Sequence, residues 1–134
     1  MDKVKDHVAY MDESILSISA EASAAEAAKK MRDSKLSSLI VVKGGENWGI
    51  VTETDLSRKI IAEELNPKET KVKFIMNKPI VAIDSDSTMM KAFVKMGNHN
   101  IRHLAVTEDD LIIGVLSINN FISYYKQKFE KGTK

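Results

Sequence analysis

Two residue pairs in this sequence have the types and spacing to do chemistry: Thr52 with Asp55, and Ser117 with Asn120. Each pair is three positions apart and follows an apolar run that opens on glycine, Gly49-Ile50-Val51 in the first case and Gly114-Val115-Leu116 in the second. A hydroxyl with a side-chain acceptor three residues later is the spacing of a capping box: the hydroxyl takes a backbone N–H of the new helix, and the acceptor reaches back to the N–H of the cap. A helix N-terminus also carries unpaired N–H groups and partial positive charge, so such a turn suits an anionic ligand. The bland reading is equally simple, since Thr and Ser are ordinary N-caps with nothing bound.

The elements that must position these pairs follow from the apolar pattern. Leu39–Val42 is continuous and β-branched, as in a strand buried on both faces, and Trp48–Val51 is the strand returning from a loop at 43–47. The helix that starts at Thr52 is expected to reach Leu65, where Asn66-Pro67 stops it. Upstream, Ile15–Ile18 is a short strand candidate, and Ser23 with Glu26 opens an alanine-rich helix whose stripe is Ala24, Ala27, Ala28 and Met31. Residues 1–10 are polar and read as a short helix or arm. After a linker at 66–71 and a short apolar turn at 72–76, the order repeats. Ile80–Ile83 is a strand, and Thr88 caps a helix to Met96 with Gly97 at its end. Two strands then flank Glu108-Asp109-Asp110, and a final helix runs from Ser117 toward Lys128.

The repeat is exact in register. Shifted by 65 positions (114 − 49), the chain lies on itself without a gap: Met31 meets Met96, Leu39 meets Leu104, Gly49 meets Gly114, Thr52 meets Ser117 and Asp55 meets Asn120. Each copy reads β-α-β-β-α, an α/β (α+β) arrangement, with residues 1–66 forming the first repeat plus an N-terminal arm and 67–134 the second plus a C-terminal helix and tail. A unit this small buries little alone, so the two are expected to pack sheet against sheet with pseudo-two-fold symmetry.

Composition narrows the function classes. The 134 residues hold 20 basic and 19 acidic side chains, a net charge of +1, which argues against a nucleic-acid or membrane-surface partner. There is no cysteine, so disulfides and thiolate metal sites are excluded. His7, His99 and His103 are scattered without metal-ligand spacing. The charged N-terminus lacks a signal-peptide core, and no apolar run approaches the roughly 20 residues that span a bilayer. A cytoplasmic protein is the expectation. No nucleophile elbow or Walker-type glycine loop is present, and Gly44-Gly45 reads as a hairpin tip, so an enzyme is not expected.

Several stretches together resemble the CBS (cystathionine-β-synthase-type) domain in tandem, the pair often called a Bateman module. They are Met76-Asn77-Lys78-Pro79-Ile80-Val81-Ala82-Ile83, Ala92-Phe93-Val94-Lys95-Met96 with Ile101-Arg102-His103-Leu104-Ala105-Val106, and the glycine-led turn ending in Asp55 or Asn120. The resemblance spans about Met11 to Tyr125. It implies a regulatory, non-catalytic module that binds adenosine-containing ligands (AMP, ADP, ATP, sometimes S-adenosylmethionine) in clefts between the repeats, with no obligatory cofactor. It also implies a homodimer, and an output passed through that dimer or to a separate effector protein, since no fused enzyme accompanies these residues.

Carried over by position, Thr52 and Asp55 would hold the ribose in one repeat, and Ser117 and Asn120 in the other. A carboxylate suits two hydroxyl donors because it only accepts, whereas Asn120 loses the charge-assisted bond. Arg102 and His103 match the family's phosphate donors, with Arg58 and Lys59 as further candidates. Ser14-Ile15 and Pro79-Ile80 match the adenine-contacting positions. The alternative is a protein-interaction module whose clefts are degenerate and whose partners ignore nucleotide.

Overall fold

The serine expected to start the first helix does so. Ser23 accepts the N–H of Glu26 at 3.1 Å and opens α1, Ala24–Ser34, in the computed structural model, which describes residues 2–6 and 16–132. Ala24, Ala27 and Met31 are buried along one face, while Ala28 lies outside that row and is exposed. α1 connects β1 (Ser17–Ser19) to β2 (Ser38–Lys43), which pair in parallel, as strands joined by a crossover helix can. β2 turns back into β3 (Glu46–Thr52), giving a three-stranded sheet in the order β1-β2-β3. The loop expected over 43–47 is only Gly44-Gly45. Lys43 already pairs with Glu46, and both glycines have positive φ (60° and 78°), the backbone of a two-residue type I′ turn.

β3 runs into α2 (Glu53–Asp55), a single α-turn that widens at once into a π-helical stretch, Leu56–Ile61. The regular helix expected to Leu65 is therefore replaced by wider turns, closed by bonds such as Ala62 N–H to Ser57 O at 2.9 Å and Leu65 N–H to Ile60 O at 3.0 Å.

The second set of elements is β4 (Ala82–Asp84), α3 (Met89–His99), β5 (His103–Glu108), β6 (Leu111–Ser117) and α4 (Ile118–Gly132), with sheet order β4-β5-β6. The 65-residue offset holds down to single bonds. Lys30 donates to the Ser17 carbonyl as Lys95 does to that of Ala82. Thr88 caps Lys91 as Ser23 caps Glu26. A sheet irregularity between Val41 and Val42 recurs between Val106 and Thr107. α3 does not stop at Gly97. It continues to His99, and Asn100 takes the left-handed position (φ 52°) that Lys35 takes after α1, since asparagine tolerates that conformation. Each sheet and its helices enclose an apolar core: Ile18, Leu39, Val41, Val51 and Ile60 in one, and Ile83, Leu104, Val106, Leu116 and the aromatic Phe121 in the other. Met31 and Met96 are buried at matched helix positions.

The compact units do not divide at residue 66. One is continuous, Leu16–Ile80, and the other joins the residues from Val81 onward to the N-terminal segment. The cause is a pair of short straps. In the first unit Val72 is fully buried, its N–H bonds Ala22 O at 2.8 Å, and Lys71 and Lys73 pair with Glu21 at 2.7 and 2.9 Å. In the second unit Val4 is fully buried, its N–H bonds Ser87 O at 2.8 Å, and Lys3 and Lys5 pair with Asp86 at 3.8 and 2.7 Å. Glu21 and Asp86 are themselves 65 apart, so Lys3-Val4-Lys5 serves one unit as Lys71-Val72-Lys73 serves the other. The polar N-terminal arm is thus a docked strap, at least over residues 2–6.

Candidate functional site

Both turns fold as their spacing requires. Thr52 Oγ1 accepts the Asp55 N–H at 3.3 Å, while Asp55 Oδ2 accepts the Thr52 N–H at 2.8 Å and the Thr52 hydroxyl at 3.0 Å. In the second unit Ser117 Oγ accepts the Asn120 N–H at 3.3 Å, and Asn120 Oδ1 accepts the Ser117 N–H at 2.6 Å and hydroxyl at 3.1 Å. The amide oxygen of Asn120 therefore reproduces the capping role of the carboxylate without its charge. The N–H groups expected to be free for an anion are largely spent. Besides those of Asp55 and Asn120, the Glu53 N–H bonds Ser37 O at 3.1 Å, and the Ile118 N–H bonds Arg102 O at 2.9 Å.

The first turn holds more than its cap. Asp55 is only 5% exposed, and a carboxylate that far from water needs partners. Asn77 Nδ2 donates to Oδ2 at 2.8 Å, and the Lys59 ammonium pairs with Oδ1 at 2.9 Å. Lys59 also donates to Ile75 O at 2.9 Å and to Asn77 Oδ1 at 3.2 Å. Asn77 is fixed through its backbone as well: its N–H bonds Ile50 O at 2.8 Å, and its carbonyl accepts the Ile50 N–H at 3.0 Å. The carboxylate proposed from sequence as a ligand acceptor is thus the centre of an internal network that joins β3, the π-helical stretch and the segment after the strap.

Lys59 is the residue the pattern underplayed, and the signal for it was present: it sits four residues after Asp55, the spacing at which an acidic and a basic side chain meet on a helix. At the matching position of the second unit stands Tyr124. It is buried, and its hydroxyl donates to the Asp2 carboxylate. Burial, and then the hydrogen bond to Asp2, push the Tyr124 hydroxyl up to about 12. Among the described residues, no ammonium pairs with Asn120 as Lys59 pairs with Asp55.

The remaining sequence-predicted residues fall as follows. His103 is the first residue of β5 and pairs in register with Ser117, and Arg102 precedes it with an exposed side chain. Both therefore lie beside the Ser117–Asn120 turn of their own unit. Arg58 is exposed on the π-helical stretch. Pro79 is exposed and follows a cis peptide bond from Lys78, and Ile80 is half-buried. Ser14 and Ile15 lie outside the described residues, as does His7. Among the described residues no helix is long and apolar enough to cross a membrane.

The duplicated β-α-β-β-α order and its glycine-led capped turns define the class. The family model "CBS domain" matches twice, over residues 4–62 and 72–127, and the chain belongs to the CBS-domain family as a tandem pair. It is similar to the mitochondrial CBS domain-containing protein CBSX3 of Arabidopsis thaliana, 34% identical over 102 residues, which cover 72% of this chain and 50% of that protein. A protein of the archaeon Methanopyrus kandleri is 31% identical over 101 residues, 74% of this chain and 52% of its own. The chain thus spans about half the length of these curated relatives. Among solved structures, the hexameric CBS-CP12 protein from bloom-forming cyanobacteria superposes with a TM-score of 0.82 at 28% identity, covering 91% of this chain and 70% of that one.

Proposed function

We propose that this CBS pair is a regulatory, non-catalytic module that binds an adenine nucleotide (AMP, ADP or ATP) through Asp55. The observation that supports this most is the division of labour on its carboxylate. Oδ2 is fully used by the cap and Asn77, which fixes the side chain, whereas Oδ1 has one partner, an ammonium whose side chain is 41% exposed. A ribose hydroxyl can take the place of a half-exposed lysine at little desolvation cost, and an oriented carboxylate is the acceptor a diol needs. Arg58 is the phosphate donor in this reading and Pro79 and Ile80 flank the adenine, while Arg102 and His103 serve the Ser117–Asn120 turn beside which they lie. Asn120 makes the second turn the weaker ribose site. We place the protein in the cytoplasm, where it acts as a homodimer and passes its signal to an effector protein. The hexameric relative and the exposed Met90, Phe93 and Val94 of α3 support self-association. Sedimentation that gave only a monomer would remove that part.

Isothermal calorimetry with AMP, ADP, ATP and S-adenosylmethionine tests the ligand. Binding of at least one is expected, with Asp55→Asn weakening it about tenfold or more, as loss of a hydrogen bond to a charged group does. No heat at millimolar ligand would overturn the assignment.

A second reading is favoured by the burial of Asp55 and by the intrachain partner on each of its oxygens: a protein-interaction module in which the network is purely structural. It predicts a partner recovered in pull-downs equally well with and without nucleotide.

A further inference from the structure

We infer that Lys59 is a built-in competitor for Asp55 Oδ1, and that it links occupancy of this carboxylate to the attachment of the Ile75–Asn77 segment. The ligand side of this inference rests on the nucleotide reading of Asp55; the link to the segment does not. An ammonium has three N–H donors, and those of Lys59 have three partners: Asp55 Oδ1, Ile75 O and Asn77 Oδ1. Asn77 closes the ring by donating to the other oxygen of Asp55, and its backbone pairs with Ile50 in both directions. One cation therefore holds the carboxylate and the segment together. A hydroxyl that takes Oδ1 keeps the buried carboxylate satisfied while the exposed lysine turns to water. Ile75 O and Asn77 Oδ1 then lose their donor, and the segment keeps the Ile50 pairing, the Asn77 amide, the Ile75 and Met76 N–H bonds to Val72 O and the buried Ile75 side chain. The second unit has the same cap with Tyr124 in place of the lysine, its hydroxyl turned to Asp2, so the device belongs to the first turn alone.

The reporters are the amides of Asn77 and Ile50. Hydrogen exchange followed by mass spectrometry on the full chain, without ligand, compares wild type with Lys59→Met and with the double variant Asp55→Asn/Lys59→Met. The double variant rebuilds the uncharged cap seen at Asn120, so it is the safeguard if an unpaired buried carboxylate prevents Lys59→Met from folding. Faster exchange over residues 75–78 and at Ile50 is expected in both variants, with peptides from 82–132 unchanged. Unchanged exchange over 75–78 would overturn the link. With AMP, the wild-type segment is expected to exchange faster and Lys59→Met to bind severalfold more tightly. Weaker binding by Lys59→Met would make Lys59 a ligand contact, and AMP that binds and protects the segment would mean no release; either result sinks the competitor role. If neither protein binds AMP, ADP or ATP, the nucleotide assignment of Asp55 fails and the ligand-free exchange comparison alone decides the link.

Discussion

Gly49 shows how tightly the network is built. A Cβ at this position would stand 2.7 Å from Met76 Sδ and 2.8 Å from Asn77 O. The sulfur can move, but the carbonyl is held by the Ile50 N–H and cannot yield without breaking the pairing. Gly49→Ala is therefore expected to lose about 1–3 kcal/mol, the usual cost of overpacking. A urea titration would show it as a lower midpoint with an unchanged slope, and a midpoint equal to that of wild type would mean that the segment has room to retreat. At this scale the caps were readable from the sequence, because a hydroxyl and an acceptor three apart admit few other geometries. The occupants of Asp55 were less so. Lys59 could be inferred from its spacing, but Asn77 lies 22 residues from the carboxylate and reaches it only through the course of the chain after the strap.

Among the elements, the straps carry the most testable electrostatics. Glu21 accepts from both Lys71 and Lys73, and the hydrogen bond to Lys71 first, then that to Lys73, lower its carboxyl from 4.5 to about 2. The sign is fixed by which state binds the proton. Between these values the unfolded chain is protonated and the folded chain is not, so the stabilisation is whole above pH 4.5 and disappears as pH falls toward 2. Glu21→Gln is expected to be less stable than wild type near neutrality, with the gap closing over that acid range, as followed by denaturation midpoints. The pair is on the surface, so added salt should narrow the gap as well. A gap independent of pH would show that Glu21 acts through packing. The straps escape an ungapped repeat search for a plain reason: Lys3 and Lys71 are 68 apart, not 65, so the matching Lys-Val-Lys runs fall out of register with everything after them. The π-helical stretch was illegible for another reason, since its side chains carry the same apolar spacing as an ordinary helix.

For the whole molecule, the duplication was legible because strand, helix, turn and cap all obey one offset, and no single-residue accident does that. What order along the chain could not reveal is ownership. A strap belongs to the unit whose edge it pairs with and whose core receives its valine, and that is decided by hydrogen bonds rather than by sequence neighbourhood. The family match over 4–62 and 72–127 follows the repeats, whereas the compact units follow the straps. The closing pieces are consequently exchanged between the two repeat boundaries. Severing the polypeptide between residues 66 and 67 would leave each fragment carrying the lock of the other, with Val4 on one piece and Val72 on the other. Such halves are expected to be poorly folded apart and to regain structure on mixing, visible in circular dichroism. This chain is, in effect, a ready-made split reporter whose reassembly is written into its two valines.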